Sequence, residues 1–163
     1  SVVRYGNVFG SRGSAIPLFI KQNKEKKYFT LTDKTMTRFN ITLKESVLFV
    51  LFSLKKMKGG EIFVPKIPSY KILDVLNAIN PKKKIKKIGI RPGEKVDEEM
   101  ITRSDSINTI EHKKYFIILP SYKKIRHKKL NFFSYNSKDN KDIMSITEIK
   151  QLIKDNEHLF EKD

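Results

Sequence analysis

Residues 1–14, SVVRYGNVFGSRGS, decide how the rest of the chain folds. Val2 and Val3 open a short apolar run that passes through Arg4 and Tyr5 to Asn7, and Gly6, Gly10 and Gly13 break the pattern ahead of Ser14. A buried strand, a tight loop and a helix start give that order of residues. In an open α/β sheet, ligands sit outside the carboxyl ends of strands, so polar groups placed where a strand gives way to a Gly-rich loop are site candidates. The spacing G-x-x-x-G-x-x-G is not the dinucleotide fingerprint, and the three glycines read more readily as ordinary turn glycines. A strand of this kind needs neighbours, and none precedes it, so the chain reads as a fragment of a larger fold.

Outward from this stretch, Ser14 stands ready to cap a helix whose first turn holds Pro17 and whose apolar side is Ile16, Leu18 and Phe19. Tyr28 to Thr32 is aromatic and β-branched enough for a strand. Thr42 and Glu45 have the spacing of a capping box, and the helix they start, Leu43 to about Lys56, is apolar on most sides and is expected to be buried. Glu61 to Lys66 reads as a strand. Ser69 is expected to cap a helix carrying Ile72, Leu73, Leu76 and Ile79 at helical spacing, stopped by Asn80-Pro81. The run Lys82 to Lys87 reads as a solvated edge. Val96 to Met100 reads as one or two helical turns with Asp97, Glu98 and Glu99 as an acidic first turn. Tyr115 to Leu119 is a further strand, and Ser145 with Glu148 boxes the start of a last helix.

Thirty-four Lys and Arg against 18 Asp and Glu give a formal charge of +16 on 163 residues. That balance suggests a polyanion partner, but only six of the basic residues are arginine. Base reading leans on arginine's bidentate fork, whereas scattered lysine is a solvated surface, so no nucleic-acid partner is expected. There is no cysteine, hence no disulfide or thiolate metal site. The longest apolar run, Ser46 to Leu54, is far short of the roughly 18 residues a membrane span needs. Neither a membrane partner nor a metal site is expected, His112, His127 and His158 having no ligand spacing, and a cytoplasmic location is the default.

Two short motifs carry candidate chemistry. In Arg91-Pro92-Gly93-Glu94 a forced turn follows a strand and places an arginine and a carboxylate on one side. The fork can hold a diphosphate while the carboxylate accepts sugar hydroxyls. A surface turn with a local Arg–Glu pair would have the same sequence. Arg38, beside Met36 and Phe39, needs an anionic partner, either a protein carboxylate such as Asp33 or a ligand phosphate. Asn7 reads as either a turn former or a ligand donor.

Taken in order, VRYGNVFGSRGSAIPLF, FTLTDKTMTRFNIT, GGEIFVPKIPSYKI, GIRPGEKVDEEMIT and YNS…NKDIMSITEIKQLI resemble one family along nearly the whole chain. It is the inverting UDP-N-acetylglucosamine 4,6-dehydratases of pseudaminic-acid biosynthesis, which are extended short-chain dehydrogenase/reductases; the resemblance is to their C-terminal half. It implies an α/β fold: the C-terminal part of an NAD(P)-binding Rossmann fold plus a small α/β substrate-binding domain. Residues 1–10 and 42–66 would complete the Rossmann core, 11–41 and 67–122 would form the UDP-sugar domain, and 123–163 a C-terminal extension with the final helix.

By the same resemblance, Asn7 contacts the UDP-sugar, Arg38 and Arg91 its phosphates and Glu94 the ribose. Thr30 to Thr32 border the uracil, with Ser11 and Arg12 as further contacts. The backbone at Tyr5 and Gly6 lies near the nicotinamide of an NADP held mainly by the N-terminal half. The Tyr-x-x-x-Lys pair of the family falls ahead of Ser1, so no catalytic residue is expected in this chain. The implied partner is UDP-N-acetylglucosamine and the implied state a homo-oligomer. Residues 123–131 match the family poorly and carry nothing over. A capsule-pathway nucleotide-sugar dehydratase or epimerase is the rival within the superfamily, and a basic nucleic-acid-binding module the remote one.

Overall fold

The structure, a computed structural model, describes residues 1–123 and 132–160. In chain order its strands are β1 (Val2–Val3), β2 (Asn7–Val8), β3 (Tyr28–Leu31), β4 (Thr37–Ile41), β5 (Ile62–Pro65), β6 (Ser69–Lys71), β7 (Lys84–Lys87), β8 (Glu99–Ile101), β9 (Thr109–Glu111), β10 (Tyr115–Ile118) and β11 (Tyr135–Asn136). The helices are α1 (Ala15–Glu25), α2 (Leu43–Lys56), α3 (Ile72–Ile79), α4 (Arg103–Ser106) and α5 (Ile146–Asp155).

The fold is α/β with parallel pairings, as expected for a Rossmann-like framework. β1 runs parallel to β5, pairing Val2 with Ile62, and β5 is flanked on its other side by the antiparallel hairpin of β10 and β9. β2 runs parallel to β4, which pairs antiparallel with β6. β3 and β7 make a third parallel pair, and β8 with β11 a short antiparallel one. Two apolar clusters hold these sheets. One gathers Phe19, Phe29, Leu31, Tyr70, Val75 and Leu76 with Ile149 of α5, so the final helix is part of that core. The other gathers Phe39, Ile41, Val64, Ile101 and Phe116. Burying each such side chain contributes about 1.5–3 kcal/mol.

Both capping boxes form: Thr42 with Glu45 on α2, and Ser145 with Glu148 on α5. Three expectations are corrected. The helix α2 is not buried: Leu43 is 64% and Leu54 58% exposed, and only Ser46 and Ser53 are fully buried, with Phe49 and Phe52 half-buried beside them. A helix that is apolar all round has more than one face to cover, and the described residues cover one, where Phe52 meets Tyr115 at 4.9 Å. Ser69 caps nothing: it lies in β6, and α3 starts after Lys71 without a side-chain cap. Glu99 to Ile101 is strand β8, because Met100 and Ile101 are drawn into the second core by their apolar side chains. The basic run is a solvated edge, as expected: Lys84 to Lys87 form β7, one edge of the two-stranded sheet with β3, with the lysines exposed and Ile85 packed inward.

Candidate functional site

A cavity of about 300 Å³ opens at the carboxyl ends of the parallel pair β3 and β7. Asn7, Thr30, Thr32, Arg38, Arg91 and Glu94 all line it, together with Ser14 at the start of α1 and Tyr70 of β6. Six of the substrate-side residues read from the sequence thus meet at one place. Ser11 and Arg12 are exposed and line neither this cavity nor its neighbour, although Gly13 and Ser14 beside them do reach this one.

Each wall has a local cause. Gln22 of α1 is buried and reaches β3 from both sides of its amide: Nε2 donates to Thr30 Oγ1 at 2.7 Å, and Thr30 N–H donates to Gln22 Oε1 at 2.8 Å. Thr30 is thereby set at the cavity wall. The Arg91–Glu94 turn closes with Glu94 N–H donating to the Arg91 carbonyl at 3.0 Å, and Gly93 takes φ +79°, which only glycine adopts freely. The Glu94 carboxylate accepts from Arg91 N–H at 3.2 Å and from Thr32 Oγ1 at 3.2 Å. The guanidinium of Arg91 itself has no hydrogen bond or ion pair among the described residues, so the local Arg–Glu side-chain pair does not form.

Arg38 is in the opposite position. Its Nη1 donates to the carbonyls of Thr37 at 2.7 Å and Val96 at 2.9 Å, its Nη2 donates to that of Lys95 at 2.9 Å, and its Nε stands 3.8 Å from Glu98. The protein carboxylate that meets Arg38 is Glu98 and not Asp33: Asp33 pairs with Lys87 at 2.8 Å, which with the Thr35 hydroxyl and N–H holds its carboxyl far below the usual range. Arg38 therefore fastens the 95–98 segment to β4 and keeps little donor capacity for a ligand.

At the start of α1, the Ser14 hydroxyl makes no cap hydrogen bond and is buried without a partner among the described residues. It lines the cavity beside first-turn N–H groups that have no helical acceptor. Those groups and the helix dipole favour a negative charge there.

A second cavity, about 330 Å³, adjoins the first through Asn7 and is lined by Arg4, Tyr5, Gly6, Lys95, Glu98, Glu99 and Met100. Arg4 is pinned by Asp105 at 3.0 Å and the Met100 carbonyl at 2.8 Å. Tyr5 and Gly6 lie between β1 and β2, outside either ladder, so their backbone groups are open to a ligand. The glycine itself answers to packing: a Cβ there would run into the Cβ of Phe39. Glu98, largely buried, faces Asn7, Arg38 and the Phe39 N–H; burial pushes its pKa up, against those donors. Sequence reasoning misses Glu98, because three consecutive acids read as the acidic first turn of a helix. The alternation into Met100 and Ile101 was the signal for an extended segment.

A parallel-stranded α/β framework with ligand-sized cavities at its strand ends is a Rossmann-like binding scaffold. The pattern of the polysaccharide biosynthesis proteins matches residues 1–120, and the chain belongs to that family. It is 50% identical over 137 residues, 83% of its length and 40% of the relative's, to a UDP-N-acetylglucosamine 4,6-dehydratase (inverting) of Campylobacter jejuni. Over 108 residues, 64% of the chain and 32% of the relative, it is 44% identical to a UDP-glucose 4-epimerase of Rickettsia canadensis. The X-ray structure of Pen from Bacillus thuringiensis superposes with a TM-score of 0.80 at 36% identity, over 94% of this chain and 48% of that one. The chain thus spans half or less of the length of these relatives.

Proposed function

We propose that this chain is the nucleotide-sugar-binding part of a C5-inverting UDP-N-acetylglucosamine 4,6-dehydratase. The observation that carries the reading is the first cavity, where an arginine without a protein partner, a buried unpartnered serine hydroxyl at a helix start and an asparagine face one space. Arg91 holds the diphosphate, with Ser14 and the first turn of α1 adding donors to the same anion. Glu94 accepts from the ribose, Thr30 and Thr32 border the uracil, and Asn7 meets the sugar. Arg38 acts mainly by holding the 95–98 segment in place. Residues 1–10 and 42–66 complete a Rossmann core, and 11–41 with 67–122 make the substrate domain.

The backbone N–H and C=O groups at Tyr5 and Gly6 are of the kind a carboxamide needs, and they fit the nicotinamide end of NADP in the second cavity. When bound, that cofactor supplies the acceptance and return of hydride. The reaction oxidises C4 of the sugar, removes water across C5–C6 and returns hydride at C6 with inversion at C5. This chain's part is to hold the UDP handle so that the sugar lies at Asn7, between the two cavities. The enzyme, a lyase and a homo-oligomer, works in the cytoplasm in the synthesis of pseudaminic and related nonulosonic acids for surface polysaccharide or flagellin glycans.

The test is incubation of the full-length protein with NADP and UDP-N-acetylglucosamine, followed by NMR of the product. A 4-keto-6-deoxy sugar nucleotide is expected. No turnover together with no UDP binding overturns the reading.

A further inference from the structure

Asn7 lines both cavities, and its amide has one orientation that satisfies its surroundings. With Nδ2 toward Glu98 it donates to both carboxylate oxygens, at 2.8 and 2.7 Å; turned the other way, its carbonyl oxygen would face a carboxylate. Glu98 is itself fixed in place: the Phe39 N–H donates to Oε2 at 3.3 Å, and Arg38 Nε stands 3.8 Å from Oε1. A largely buried carboxylate cannot turn away from such donors without leaving its charge unpaired. The donors of the Asn7 amide are therefore committed, and its carbonyl Oδ1 is what remains for a ligand. A carbonyl accepts hydrogen bonds and gives none.

We infer that Glu98 is a positioning residue that fixes the Asn7 amide with Oδ1 turned to the ligand, so that Asn7 recognises a hydrogen-bond donor of the sugar and not a phosphate oxygen. The recognised group is a hydroxyl or an acetamido N–H. Phosphate is left to Arg91 and the start of α1. The inference rests on the nucleotide-sugar reading above.

Calorimetric titration of the full-length protein with UDP and with UDP-N-acetylglucosamine measures what the sugar adds, as the ratio of the two affinities. Glu98→Gln offers one acceptor and one donor where two acceptors stood, so Asn7 loses its hold. The ratio is expected to fall about three- to tenfold, the worth of one hydrogen bond, while UDP affinity stays within about twofold. Asn7→Ala should lose the same ratio, and the double variant no more than either single one, because the two residues act as a unit. Should Glu98→Gln not fold, Asn7→Ala with the same two probes still decides. An unchanged ratio in either single variant, or losses that add in the double one, overturns the inference alone. Absence of UDP binding to the unaltered protein overturns the nucleotide-sugar reading, and this inference with it.

Discussion

Thr32 and Glu94, 62 residues apart, meet at 3.2 Å, the hydroxyl at the end of β3 donating to the carboxylate of the turn after β7. The same carboxylate accepts the Arg91 N–H, so one side chain ties the arginine turn to the strand beneath it. Arg91 is thus carried on a braced turn while its guanidinium stays unspent.

That contrast separates two arginines that look alike in sequence. In the full-length protein, Arg91→Ala should weaken UDP binding about tenfold or more, since a charge-assisted hydrogen bond contributes about 1.5–3 kcal/mol, and leave the melting temperature nearly unchanged. Arg38→Ala should lower the melting temperature, because three carbonyls lose their donor. Titration calorimetry and thermal melts on both variants check this, and the reverse pattern would exchange their roles.

Gly6 makes a prediction about packing. An added methyl meets Phe39, which is fully buried, and the atom it meets is Cβ, next to the backbone of β4. Gly6→Ala should therefore cost about 1–3 kcal/mol by overpacking, read as a lower denaturant midpoint at constant slope. Full stability in the variant would mean that β4 yields easily there.

Glu61 makes a prediction about pH. Burial alone would raise its carboxyl, but the Ser1 hydroxyl and the N–H groups of Lys58 and Gly59 outweigh that and bring it from 4.5 to about 2. The folded pKa is below the unfolded one, so the unfolded state binds more protons in this window and stability falls as pH drops from about 4.5 toward 2. The gap in melting temperature between wild type and Glu61→Gln should be widest above pH 4.5 and narrow toward pH 2. A gap that does not change with pH would place the effect in packing.

The exposed side of α2 predicts association. Leu48 and Leu51 are 55% and 50% exposed on a helix whose inward face is Ser46 and Ser53 with the half-buried Phe49 and Phe52. The 163-residue chain by itself should self-associate and bind a hydrophobic dye. Leu48→Glu with Leu51→Glu should suppress both at little cost in stability, since exposed substitutions stay within about ±0.5 kcal/mol. A large drop in melting temperature would show that the face is covered.

These results mark what could be read from the sequence. Periodicity and boxes gave α2 and α5, because Thr42-Glu45 and Ser145-Glu148 are local signals whose partners are three residues away. The resemblance named six residues that the fold then brings to one cavity. What could not be read was decided by distant neighbours: Glu98 is a buried carboxylate only because β2 and β4 bring Asn7 and Arg38 to it, and Ser69 is a strand residue only because β4 lies beside it. Exposure of α2 was equally illegible, since an apolar helix looks the same whether or not something covers it. Arg38 and Arg91 could not be told apart before it was known which of them the backbone already uses.

The last prediction concerns the product. The chain resembles a dehydratase that inverts and also an epimerase, so nucleotide contacts alone do not choose between the two reactions. By the resemblance stated above, the segments GIRPGEKVDEEMIT, SDSINTIEHKKYFIILP and YNS…SITEI are expected to follow the pseudaminic-acid type. Two of them meet in the structure: Tyr135↔Ile101 pairs β11 with β8, and the Ser137 hydroxyl accepts the Glu98 N–H at 2.9 Å. They thus support the carboxylate that holds Asn7, the residue proposed above to meet the sugar. With UDP-N-acetylglucosamine, the full-length protein should release UDP-2-acetamido-2,6-dideoxy-β-L-arabino-hex-4-ulose. NMR coupling constants around C5 report its configuration; retention at C5, or a C4 epimer formed without loss of water, would exclude the inverting dehydratase.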